Sequence, residues 1–213
     1  MPTNEIRIPK QKRSIEKKDA IIVASYELFC EKGYYKTNTA EIAKAANVST
    51  GIVYNYFHDK HDILKEVIGL YISRLESEFR TALSRQIQKE DLHNLVKELL
   101  DALITSHTMN VSAHNEFMAL ALLDPEIQNY FVDFEARLLA QIKELLISAE
   151  FSSCFLEEKL RIAFGIIEQL CHDYIQQIID EAQLSRSKIV AVQAITSLIE
   201  MARARNRFRG CPP

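Results

Sequence analysis

Tryptophan is absent from the 213 residues, and glycine and proline occur only five times each. So few breakers exclude a collagenous chain, a low-complexity chain and a turn-rich all-β domain, all of which use both residues freely. Cysteine occurs four times, as Cys30, Cys154, Cys171 and Cys211, with no C-x-x-C pair and no histidine at zinc-finger spacing. A disulfide framework and a structural zinc site are therefore not indicated, and the thiols read as reduced core residues with a free tail thiol at Cys211. No run approaches 18 uninterrupted apolar residues, and no apolar stretch follows the N-terminal charges. Neither a membrane span nor a secretory signal is expected, and the expected location is cytoplasmic. Catalytic signatures are also missing: there is no G-x-S-x-G and no H-E-x-x-H. Glu90-x-x-His93 is a single copy where a di-iron bundle needs a pair, while Ser14-x-x-Lys17 and Ser185-x-x-Lys188 match S-x-x-K by spacing alone. His58 and His61 are close neighbours but read as solvated or partner-facing rather than metal-ligating. No enzyme activity, cofactor or resident metal is expected.

What is present is 47% hydrophobic and 26% charged residues, the balance of a water-soluble globular chain with ample length for a core. The net charge of -3 conceals an asymmetry. Residues 1–62 carry 10 Lys and Arg against 8 Asp and Glu, whereas 63–213 carry 16 against 21. Arg7, Lys10, Lys12, Arg13, Lys17 and Lys18 crowd the start, so a basic N-terminal segment precedes an acidic body. Attraction to a polyanion and a solvated flexible tail both fit that pattern.

Apolar spacing is helical almost throughout. Ile21, Ile22, Ala24, Leu28 and Phe29 recur at three and four within 15–31, and Gly33 supplies a left-handed stop. Asn38 and Glu41 form a capping box for a short second helix with Ile42, Ala43 and Ala46 inward. Asn47-Val48-Ser49 then breaks the chain: Asn tolerates the left-handed region and Ser49 caps a third helix, Thr50 to Phe57. In that helix Val53 and Phe57 point inward, with Thr50, Asn55 and Tyr56 more exposed. Two short helices joined by three residues make a helix-turn-helix. Asp59 and Asp62 start a long fourth helix, followed by helices at about 92–107, 112–123, 125–148, 155–182 and 186–205. No strand-period segment or repeat is found, so the chain reads as all-α.

The run Thr39-Ala-Glu-Ile-Ala-Lys-Ala-Ala-Asn-Val-Ser-Thr-Gly-Ile-Val-Tyr-Asn-Tyr-Phe-His-Asp-Lys resembles the DNA-binding domain of the TetR family of bacterial transcriptional regulators. Leu28-Phe29 with Gly33-Tyr34 before it, and Ile63-Leu64 after it, extend the resemblance over about 50 residues. Asn47 stands where the family usually has glycine and preserves the turn. The resemblance implies a three-helix DNA-binding domain at 1–62, with a basic flexible tail at 1–13. A larger helical effector-binding and dimerisation domain follows at 63–205, and 206–213 reads as a disordered tail behind Arg203, Arg205, Arg207 and Arg209. Thr39, Tyr54, Tyr56 and Lys60 supply donors for phosphate oxygens, at positions where the family grips phosphates. Ser49, Thr50, Gly51 and Asn55 would meet base edges, since Asn pairs bidentately with adenine and Thr touches a thymine methyl.

In the body, polar residues interrupt apolar helices, the mixture that a ligand pocket needs. The candidate effector residues are His107, Met109, His114, Glu116, Phe117 and Tyr174. No Lys or Arg occurs between Asp101 and Ala136, which disfavours a phosphorylated effector and favours a mainly hydrophobic one. Ile162, Ile166, Ile178, Ile189 and Ile195 give the last two helices wide apolar faces, and the resemblance implies a homodimer through 155–205. The expected function is a repressor released from operator DNA by a hydrophobic small molecule. The alternative is an effector-independent helical module that binds DNA or protein.

Overall fold

The computed structural model describes residues 12–83, 92–151 and 155–200. Among these residues there are nine helices and no strand, in agreement with the all-α expectation. They are α1 (Lys12–Lys32), α2 (Thr39–Ala45), α3 (Thr50–Tyr56), α4 (Lys60–Leu83), α5 (Leu92–Met109), α6 (Val111–Leu123), α7 (Pro125–Ser148), α8 (Leu156–Ile175) and α9 (Glu181–Glu200). None is long and apolar enough to cross a membrane. Most of the basic tail, Glu90, Cys154, Cys211 and the arginine-rich C-terminal segment lie outside the described residues.

Local chemistry sets the boundaries. Gly33 takes φ 86° and its amide donates to the Phe29 carbonyl at 2.9 Å, ending α1. A side chain here would be strained by the left-handed angle, and the Glu116 carboxylate lies 3.2 Å from where its Cβ would stand. Asn38 Oδ1 accepts from the Ala40 and Glu41 amides, each at 3.0 Å, while Glu41 Oε2 accepts from the Asn38 amide at 3.1 Å. The capping box therefore opens α2. Asn47 takes φ 53°, and the Val48 amide donates to the Ala43 carbonyl at 2.9 Å to close the turn.

Ser49 departs from expectation. It occupies the N-cap of α3, yet its side chain makes no capping bond. The Ile52 amide that it would cap already donates to the Ser49 main-chain carbonyl at 2.9 Å. Aspartates open the longer helices: Asp59 Oδ1 accepts from the Asp62 amide, and Asp124 Oδ1 accepts from those of Glu126 and Ile127. Near the C-terminus the periodicity misplaced a boundary. Helix α8 stops at Ile175, Gln177 turns left-handed at φ 59°, and α9 begins at Glu181 rather than 186. Asp180 and Gln183 cap α9 reciprocally, each amide donating to the other's side chain.

Two compact units result, Met1–Arg74 with Ser112–Val132, and Leu75–Val111 with Asp133–Pro213. This division does not follow the 62/63 boundary read from the sequence. In the first unit α1, α2 and α3 pack on one another around Ile21, Phe29, Ile42, Val53 and Phe57. Phe117 is fully buried, with its ring centroid 5.9 Å from that of Tyr26 and 5.1 Å from that of Tyr71. That aromatic contact is one reason why residues 112–132 join the N-terminal helices. In the second unit α5, α8 and α9 pack mutually, burying Leu95, Leu100, Leu103, Leu160, Ile195 and Ile199.

Candidate nucleic-acid interface

Helix α3 divides its residues cleanly. Val53 turns into the core of the first unit, whereas Thr50, Gly51, Tyr54 and Asn55 are exposed. Ser49, free of capping duty, is exposed beside them. Polar side chains on one exposed face of a helix that follows a tight turn can enter a major groove. Tyr54 Oη lies 3.0 Å from Thr39 Oγ1, so the first residue of α2 and the middle of α3 present one hydroxyl pair. Either oxygen can turn its hydrogen outward to an anion.

Two of the expected phosphate contacts are differently placed. Tyr56 is buried rather than exposed, and its hydroxyl hydrogen-bonds Ser14 Oγ at 2.8 Å. Tyr56 is thus buried on α3 along with Val53, and its hydroxyl meets α1 near that helix's start. Lys60 heads α4 as expected, but its Nζ donates to the carbonyls of Tyr34 and Thr37, both at 2.8 Å. The ammonium also sits 4.3 Å from the centroid of the Tyr34 ring. Burial lowers its pKa from the ordinary lysine value. Lys60 thus ties down the loop between α1 and α2, because its ammonium meets the Thr37 carbonyl and the Tyr34 carbonyl, which also accepts the Thr37 amide at 3.2 Å, before solvent. Two exposed cations that sequence reading passed over stand on the same segment, Lys36 before α2 and Lys44 within it. Their charge in the run leading into the turn was the signal.

The residues expected to bind an effector divide between the compact units: His114, Glu116 and Phe117 belong to the first, His107, Met109 and Tyr174 to the second. Glu116 does not offer its charge to a pocket. Its Oε1 accepts the Tyr34 amide at 2.5 Å, and Ser112 Oγ, one turn earlier, donates to the Cys30 carbonyl. Helix α6 therefore grips the end of α1 through two polar bonds. Phe117 is core, and His114 Nδ1 lies 3.4 Å from Tyr71 Oη. Met109 is 67% exposed, since two residues past inward-facing His107 is about 200° around the helix.

Within the second unit His107 is buried, its Nδ1 2.9 Å from the Leu103 carbonyl and its Nε2 3.4 Å from Glu168 Oε2. Burial is the largest influence and pulls its pKa down, but the Glu168 carboxylate and the hydrogen bond to the Leu103 carbonyl together leave the imidazole raised. Elsewhere in this unit an apolar cavity of about 40 Å³ is lined by Leu99, Leu138, Ile142, Phe164, Ile167 and Ile195 among others, and by none of the six expected residues.

Comparison with known proteins bears on both regions. Residues 21–67 match the family described as bacterial regulatory proteins, tetR family. The HTH-type transcriptional regulator HbdR of Aromatoleum sp. strain CIB is 38% identical over 106 residues, covering 50% of this chain and 43% of that protein. The fatty acid metabolism regulator protein of Bacillus subtilis strain 168 is 34% identical over 106 residues, covering 48% and 52%. The chain thus spans about half the length of the curated relatives it matches. The solved structure of Salmonella enterica GusR shares the fold at a TM-score of 0.66 and 16% identity, covering 91% of this chain and 98% of that one.

Proposed function

Since the N-terminal domain of this chain is that of the TetR family of bacterial transcriptional regulators, we propose that the chain is a DNA-binding transcriptional regulator rather than an enzyme. The observation that carries the reading is the exposed polar face of α3, Thr50, Gly51, Tyr54 and Asn55, on a helix whose other face is fixed in the core. Base edges are read by Thr50 and Asn55, with Ser49 and Gly51 at the helix start. Phosphates are held by the Thr39–Tyr54 hydroxyl pair, the Tyr56 hydroxyl beside Ser14, and Lys36 and Lys44, while Lys60 holds the loop and keeps at most one donor for DNA. The functional domains are a DNA-binding part at 1–62 and an effector and dimerisation part at 63–205, the homodimer forming through 155–205. The site of action is the cytoplasm, where operator DNA is found.

The effector is a mainly hydrophobic small molecule. Two observations support that chemistry: the apolar lining of the cavity in the second unit, and the B. subtilis relative, a fatty acid metabolism regulator. At about 40 Å³ the cavity is far below the roughly 300–1,000 Å³ of ordinary small-molecule sites, so the effector must part the helices that line it. A ligand that binds only the parted state shifts the population toward it. If that state fits the operator poorly, DNA and effector weaken each other by one shared coupling free energy, and the regulator acts as a repressor. Of the expected effector residues, His107 and Tyr174 lie in the same unit as the cavity and are assigned to orient a polar end. The small cavity also favours the second reading, an effector-independent module.

One experiment separates the readings. Random duplexes are selected on the full chain, with and without long-chain fatty acids and acyl thioesters. The expected result is an enriched, two-fold symmetric site whose half-sites lie about one helical turn apart, released by one of these acyl compounds. No enrichment would overturn the DNA reading. Enrichment that no acyl compound alters would favour the effector-independent module.

A further inference from the structure

We propose that His107, Glu168 and His172 form a binding site for a borderline divalent cation, zinc above all, inside the second compact unit. The inference goes beyond the regulatory reading and does not depend on it.

The three residues lie on two helices that pack directly, α5 and α8. Glu168 and His172 are four residues apart, so one turn of α8 sets both on one face. His107 faces them from α5 and is buried, while Glu168 and His172 are partly exposed, which leaves a route for an ion to enter. Glu168 Oε2 stands 3.4 Å from His107 Nε2 and 3.7 Å from His172 Nε2. Both spacings exceed the roughly 2.7–3.2 Å of a direct N–H···O bond. Neighbouring donors that each lie about 2.0–2.2 Å from a shared zinc ion in tetrahedral geometry are roughly 3.3–3.6 Å apart; the His107 spacing falls within that range and the His172 spacing just beyond it, a difference that rotation of the partly exposed His172 can close. The two histidines offer ring nitrogens within 4.8 Å of each other, a gap that rotation of the partly exposed His172 can narrow.

Orientation supports the same conclusion. The Leu103 carbonyl, 2.9 Å from His107 Nδ1, can only accept, so Nδ1 carries the proton. Once Nε2 gives up its proton to an incoming cation, its lone pair faces Glu168 across the ion. A histidine whose outer nitrogen is tied to a main-chain carbonyl, leaving the inner one to donate electrons, is the arrangement that fixes metal-binding imidazoles. Two nitrogens and one carboxylate oxygen suit zinc and its borderline neighbours. Calcium and magnesium prefer all-oxygen sets. Three protein donors leave the fourth zinc position to water or an anionic group. The spacing escapes sequence reading because His107 and Glu168 are brought together only when α5 packs on α8.

The full chain, dialysed against chelator and then freed of it, is titrated with Zn²⁺ by calorimetry and with Co²⁺ by visible absorption. One ion per chain is expected, with the d–d bands of a low-coordinate N/O site. Glu168→Gln and His172→Gln alter partly exposed positions, so both variants should fold, as circular dichroism will report. Each is expected to weaken Zn²⁺ binding at least about tenfold and to diminish the Co²⁺ bands. Absence of saturable Zn²⁺ binding at millimolar metal would overturn the proposal, and so would full-affinity binding in both variants.

Discussion

A residue's type states what it can donate, but not which acceptor reaches it first. Lys60 shows the difference. Its charge and its place at the head of α4 were legible, yet the Tyr34 and Thr37 carbonyls engage its ammonium within the chain. Gly51 is the converse case. A Cβ there would meet only Ser49 Oγ, at 3.9 Å, and its φ lies outside the left-handed range, so nothing in the fold asks for glycine. Glycine inside a helix costs about 0.5–1 kcal/mol relative to alanine. Close approach by something outside the chain would explain that loss, and the DNA reading supplies it. Gly51→Ala should raise stability toward that amount in urea denaturation while weakening operator binding in an anisotropy titration. Binding as tight as wild type would remove Gly51 from the interface.

At the scale of elements, the caps were legible where sequence alone sets them. Asn38 with Glu41, Gly33, Asn47 and Pro125 all act over three or four residues, so their geometry follows from local chemistry. The end of α8 was not legible, because Ile178 and Ile179 continue an apolar run past the left-handed Gln177 that breaks it. Asp124 joins local and distant chemistry. It caps α7 through Oδ1, and its Oδ2 lies 2.7 Å from His61 Nε2. The hydrogen bond from His61, helped by the cap amides, lowers its pKa below the usual aspartate value. A depressed folded-state pKa gives stability that is present above the unfolded value of 3.8 and lost as pH falls through the folded one. Asp124→Asn keeps an oxygen for the amides but loses the charge. Its urea midpoint should therefore fall less than that of wild type between about pH 7 and about pH 2. Equal falls would mean that the ionised carboxylate adds nothing beyond the cap. Asp124→Ala, which removes the cap as well, should cost about 0.5–2 kcal/mol at neutral pH.

For the molecule as a whole, periodicity revealed the fold class, since amphipathic spacing survives any packing arrangement. It could not reveal that 112–132 would join the N-terminal helices, because Glu116 and the Tyr34 amide meet across 82 residues. Nor could it separate the two apolar faces of α8 and α9. Ile195 is 2% exposed and lines the cavity, whereas Ile162 is 56% and Ile189 62% exposed. Single exposed apolar residues are ordinary. Here Ile162 and Ile166 stand one turn apart on α8, beside Gly165, whose added Cβ would meet nothing within 4 Å. Ile189 and Val190 add to the exposed apolar surface on α9, the helix packed against α8. Exposed apolar residues on two adjoining helices are what a second copy would cover. The proposed dimer face is therefore Ile162, Ile166, Ile189 and Val190, and a charge at Ile195 would test the core instead. In the isolated chain Ile162→Glu puts a carboxylate into water at little cost, but in a dimer it strands that carboxylate in an apolar interface, at several kcal/mol. Sedimentation at micromolar concentration should show a wild-type dimer and an Ile162→Glu monomer with unchanged helical circular dichroism. A wild-type monomer would end the dimer model, and a dimer that survives the substitution would move the interface off this face.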